Sequence, residues 1–77
     1  MVAKSASLPG YLKQLQKWKV IRGRQVWTNC DRSRFYTWDA LHGEIEVFDR
    51  HGHHLGALDS VSGQFIKHAV RGRTLGG

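Results

Sequence analysis

Asp39, His42, Glu44 and Glu46 put four side chains able to do acid–base work into eight consecutive positions of a strongly basic chain. The 77 residues contain six Asp and Glu, and three of them lie here, against twelve Lys and Arg and a net charge of +6. A carboxylate and an imidazole are the equipment for breaking a phosphodiester beside a ribose hydroxyl. A base takes the 2′-OH proton, the oxygen attacks phosphorus, and an acid protonates the departing 5′-oxygen. A second carboxylate can orient the imidazole through one ring nitrogen, which suits Asp39 beside His42. A cation must stabilise the added charge on the phosphorane, and Arg71 and Arg73 are candidates in kind. DNA lacks the attacking hydroxyl, so such chemistry would be confined to RNA. The competing reading makes Asp39, Glu44 and Glu46 surface charges that pair with Lys and Arg across strands.

The elements that must hold these residues read as mostly β. Glu44-Ile45-Glu46-Val47-Phe48-Asp49 alternates polar and apolar, and Gly43, Ile45 and Val47 argue against a helix. A strand puts His42, Glu44, Glu46 and Phe48 on one face, with His42 and Glu46 roughly 13 Å apart at a rise of ~3.3 Å per residue. Before it, Leu8, Tyr11, Leu12, Leu15 and Trp18 recur at helical spacing after a capping Ser7 and an early Pro9, which predicts a helix over 8–18. Short β-prone runs separated by turn residues then fill 20–67, predicting an antiparallel meander. Residues 1–7 read as flexible, and 68–77 as an irregular basic, Gly-rich tail. The expected fold is α+β, mostly β: one short N-terminal helix, then a strongly twisted antiparallel sheet of about five strands in a single domain over 1–77.

Bulk composition points to an anionic partner, with nucleic acid first and an acidic protein second, given a pI near 10.1. The lone Cys30 permits no intramolecular disulfide and no cysteine-based zinc site, which favours action in a reducing cytoplasm. No apolar run approaches the roughly 20 residues of a membrane-spanning helix, and the start of the chain has no apolar core of a signal peptide. His51, His53 and His54 lack a carboxylate or Cys at ligand spacing and read as turn and surface imidazoles rather than zinc ligands. Trp27, Tyr36 and Trp38 suit either stacking on single-stranded RNA or core packing. Arg22, Arg24, Arg32, Arg34 and Lys67 are phosphate contacts or merely solvated charges.

One longer pattern stands out. Tyr36-x-Trp38-Asp39-x-x-His42-Gly43-Glu44-Ile45-Glu46, followed by Gly52-x-His54-Leu55-Gly56-x-Leu58-Asp59-x-x-x-Gly63, resembles the C-terminal cytotoxic domain of the ribosome-inactivating nuclease colicins. Similar toxin domains end contact-dependent inhibition proteins and S-type pyocins. The likeness runs from Arg34 to about Arg73. It implies a small twisted antiparallel sheet with an N-terminal helix and a metal- and cofactor-independent endoribonuclease. That enzyme cuts 16S rRNA in the decoding centre of the 30S/70S ribosome. It also implies an acidic immunity protein or antitoxin as partner, and action in the bacterial cytoplasm, with delivery as part of a larger secreted toxin. By the resemblance, Glu46 is the general base, His42 the general acid, Asp39 its orienting group and Arg73 the catalytic cation, with Arg71 as the neighbouring alternative. Glu44, Phe48, Tyr36, Trp38, Arg71 and Lys67 are then assigned to the substrate, and His54 to structure. This chain departs from the family in carrying Phe48 where Tyr is common, in a shorter loop at Arg50, and in a reduced basic tail. A non-catalytic basic RNA- or ribosome-binding module is the alternative, and it gives Asp39 and Glu46 no task.

Overall fold

The computed structural model describes residues 9–76, so the expectation for 1–7 lies outside it. Helix α1 covers only Gly10–Lys13. It is followed by six strands: β1 Gln16–Ile21, β2 Arg24–Thr28, β3 Arg34–Asp39, β4 Glu44–Asp49, β5 His54–Asp59 and β6 Phe65–His68. All neighbours pair antiparallel, in the order β1-β2-β3-β4-β5-β6. The fold is therefore mostly β, with one strand more than the five or so expected and a much shorter helix than 8–18.

The shortened helix has a physical cause. An isolated helical turn is costly to nucleate, whereas Gln16–Ile21 gains a ladder of backbone hydrogen bonds along β2. The apolar residues at helical spacing are divided between two faces. Leu12 is fully buried in one cluster with Tyr11 and Leu15 beside it, while Trp18 packs into a second cluster. Trp18 sits in a bulge between Lys17 and Lys19, its indole tilted against Phe35 at 4.4 Å between centroids.

The sheet thus has a core on each face. Under α1 lie Leu12, Trp27, Tyr36, Ile45, Val47 and Leu58. On the other face Val26, Phe35 and Phe48 pack with Trp18, Ile21 and Leu75. Residues opposite each other in paired strands share a face, so Val26, Thr37, Glu46, Ala57 and Lys67 form one row across β2 to β6. The adjacent row holds Asp39, Glu44 and Asp59. Both rows occupy the face away from α1.

Two irregularities shape that face. Between Val47 and Phe48 the register with β5 slips, so that Gly56 faces Val47 but His54 faces Phe48. Strict alternation would leave His54 on the side of Gly56; the extra residue, Leu55, turns it toward Glu46 instead. The C-terminal segment, expected to be irregular or frayed, is pinned to the β4–β5 turn. His54 N–H donates to the Arg73 carbonyl at 3.0 Å, Leu75 N–H donates to that of Gly52 at 2.8 Å, and His53 bridges Thr74. Leu75 then closes the edge of the second core.

Candidate active site

Glu46 stands mid-strand between Thr37 and Ala57, two small neighbours that leave room on either side of its carboxylate. Its side chain is 12% exposed, and its Oε1 is held by two donors. His54 Nε2 lies 2.5 Å away and Arg73 Nη1 3.1 Å away. The His54 ring is buried, and its Nδ1 accepts the Val70 N–H at 2.8 Å. An imidazole nitrogen that accepts carries no hydrogen, so the hydrogen sits on Nε2 and is donated to Glu46. This orientation fixes one carboxylate oxygen, while Oε2 has no hydrogen-bond partner among the described residues, and Glu46 lines both clefts described below. The Phe48 ring packs edge-on against His54, 5.4 Å between centroids, and restricts the imidazole further.

His42 does not lie on β4, as strand alternation predicted. It sits in the turn between β3 and β4, where Gly43 adopts φ +67° and donates its N–H to the Asp39 carbonyl at 2.8 Å. That turn brings His42 onto Asp39: His42 N–H reaches Oδ1 at 3.2 Å and Nδ1 reaches Oδ2 at 2.7 Å. The side-chain bond from His42 is the largest cause that holds the Asp39 carboxyl below its ordinary range; burial opposes it, and the His42 N–H assists. With Nδ1 tied to Asp39, Nε2 is the nitrogen available to a ligand, and the His42 side chain is 59% exposed.

Glu44 completes an acidic group. One carboxylate oxygen each from Asp39, Glu44 and Glu46 lies within 4.8 Å of the others. Like charges so close repel one another, and cations counter them: Lys67 Nζ meets Glu44 at 3.0 Å, and Arg73 meets Glu46. Two clefts flank the group. One, of about 260 Å³, lies toward β5 and β6 and is lined by Asp39, His42, Glu44, Glu46, His54, Ala57, Lys67, His68, Val70 and Arg73. The other, of about 340 Å³, lies toward β1 and β2 and shares Asp39, Glu46 and Arg73 with the first.

The structure therefore assembles Asp39, His42, Glu44, Glu46, Lys67 and Arg73 around one place. It separates the rest. Tyr36 is in the core under α1, edge-on to Tyr11 at 6.1 Å, and burial pushes its hydroxyl up to about 12. Trp38 packs partly buried against that same core. Neither can stack on a base at the site, because they lie on the opposite face of the sheet. Phe48 is on the correct face and touches the β1–β2 cleft, but at 5% exposure it packs with Val26 and Phe35 instead of offering a ring face. Arg71 lines an adjoining depression with His53 and Thr74, and Arg73 is the arginine that reaches Glu46. His51 and His53 remain turn residues; Asp49 Oδ1 accepts both their N–H groups at 2.9 Å. The residue undervalued in the sequence is His54, whose contact with Glu46 depends on the bulge.

Residues 7–76 match the family model described as Cytotoxic. No curated protein matches the chain.

Proposed function

The chain belongs to the Cytotoxic family and is a toxin domain of the colicin type; from that premise we propose that it is an endoribonuclease that cleaves 16S rRNA by acid–base transesterification and so stops translation. The observation that carries the reading is that Glu46 and the Asp39–His42 pair open onto one cleft, with Arg73 bonded to the carboxylate. Glu46 Oε2 takes the 2′-OH proton while Oε1 stays fixed by His54 and Arg73. The 2′-oxygen attacks phosphorus, and Arg73 offsets the charge gathering on the phosphorane. His42, protonated on both nitrogens and stabilised by Asp39, gives its Nε2 proton to the departing 5′-oxygen. The products are a 2′,3′-cyclic phosphate and a free 5′-hydroxyl. Base, acid and cation are all side chains, so this route needs no metal. Glu44 and Lys67 shape the wall of the cleft beside the leaving group.

The net charge of +6 suits an acidic immunity protein as inhibitor in the producing cell. Its target places its action in the bacterial cytoplasm, after delivery within a larger toxin. The test is His42→Ala incubated with 70S ribosomes, with cleavage mapped by primer extension on 16S rRNA. A loss of about 10²- to 10⁴-fold is expected for a missing general acid. Release of the 3′ fragment at the wild-type rate would remove His42 from the chemistry and the reading with it.

A further inference from the structure

The cleft toward β1 and β2 has no task in the acid–base step, yet its rim is cationic. Ile21 pairs with Arg24, so Arg22 and Gly23 alone connect β1 to β2. Their φ values are +52° and +77°. Two positive φ angles in a two-residue hairpin define a type I′ turn, whose favoured first residue is Asn or Gly. Arginine there is strained, because its Cβ crowds the backbone in the left-handed region. Local folding gives no reason for it. Both Arg22 and Arg24 line the cleft that Glu46 and Arg73 also line. Among the described residues neither guanidinium makes an ion pair, although Asp39 and Glu46 border the same cleft. Two cations set beside carboxylates without pairing to them, one of them at a backbone cost, are arranged for an anion from outside.

We propose that Arg22 and Arg24 form a phosphate subsite for single-stranded RNA on the β1–β2 side of Glu46, resting on the reading of the site as a ribonuclease centre. The strand would then cross the face from this turn, over Glu46 and Arg73, to Lys67 on β6. Planar guanidinium groups match phosphate oxygens in pairs, and the cleft's volume of about 340 Å³ is of the size that holds one nucleotide-sized group.

The probe is a short fluorescent 2′-O-methyl oligoribonucleotide, which cannot be cleaved because its 2′-oxygen is blocked. Binding is read by anisotropy between about 50 and 200 mM salt. Arg22→Ala/Arg24→Ala should lower the slope of log affinity against log salt by about 1.4, two contacts at roughly 0.7 each for a single strand. Lys13→Ala/Lys17→Ala removes the same charge from residues that line neither cleft and should change the slope by less than half as much. Arg22→Gly separates binding from folding: it relieves the positive φ, so the melting temperature should rise while RNA affinity falls. Equal losses in the two double variants, or an Arg22→Gly protein that binds as well as wild type, would overturn the subsite. A wild-type protein without affinity for the oligonucleotide would overturn both the subsite and the ribonuclease reading; normal wild-type binding that ignores Arg22 and Arg24 would overturn the subsite alone.

Discussion

Replacing Glu46 by Gln is the sharpest perturbation of the site, because it changes charge and basicity while keeping volume and one oxygen. The amide oxygen can still accept from His54 Nε2, so the His54–Val70 bond that fixes the ring survives. What is lost is the charge-assisted part of the His54 bond, about 1 kcal/mol as the difference between charged and neutral hydrogen bonds. The pair with Arg73 is also lost. Its guanidinium side is 49% exposed, which places it in the surface class of about 0.2–1 kcal/mol. Relief of repulsion from Asp39 and Glu44, whose oxygens lie within 4.8 Å, works in the other direction. The balance is a destabilisation of about 1–2 kcal/mol, or a melting point lower by roughly 4–16 °C in a domain of this size. The protein stays folded at 25 °C. The cleavage rate, by contrast, should fall about 10²- to 10⁴-fold, since an amide cannot take the 2′-OH proton. Thermal melting by circular dichroism and fragment release from 70S ribosomes measure the two effects on one preparation. A folded Glu46→Gln protein retaining more than about a tenth of the wild-type rate would refute the assignment of the base.

Acid should weaken the fold through four carboxyls held below their ordinary range: Asp31 chiefly by the Ser33 side chain, Asp39 by His42, Asp49 chiefly by the His53 N–H, and Asp59 chiefly by the Ser62 N–H. Depressed carboxyls add stability above their unfolded value of about 3.9 and lose it as pH falls through the lower folded values, so urea midpoints should hold near neutrality and drop below about pH 4. Asp59→Asn should narrow the gap between midpoints at neutral and acid pH; an unchanged gap would remove Asp59 from that account. Gly56→Ala should be costly, because a Cβ there would lie 2.5 Å from the Lys67 carbonyl oxygen and φ is +147°. Urea denaturation should show a loss of at least about 1–3 kcal/mol from the backbone conformation alone, and a variant as stable as wild type would mean that β6 does not pack as described. Lys67→Met should do little to stability, at most about 1 kcal/mol, since the lysine side of its pair with Glu44 is 57% exposed.

What was legible in the sequence depended on how local its cause is. Glu46 on a strand face opposite buried Ile45 and Val47 follows from alternation alone, and both apolar partners are fully buried. The pairing of Asp39 with His42 was readable as chemistry, but not as geometry, because Gly43 in a positive-φ turn moves His42 off the strand. Residues 8–18 misled because their apolar spacing satisfies a helix, while the sheet has a core on each side and draws Leu12 and Trp18 to different ones. Tyr36 and Trp38 misled for the same reason: the motif that contains Asp39, His42 and Glu46 also supplies the opposite core. The resemblance pointed to Arg73, but the contacts that His54 and Arg73 make with Glu46 lay furthest from sequence reach. The face of His54 is set by a register slip against β4, and its second partner, Val70, arrives sixteen residues later. Arg73, rather than Arg71, is delivered to Glu46 because backbone bonds at Arg73 and Leu75 pin the tail along the β4–β5 turn. The bulge, the pinned tail and the carboxylate therefore act as one unit. His54 touches both of the others, so a change that frees the tail must also loosen the orientation of Glu46.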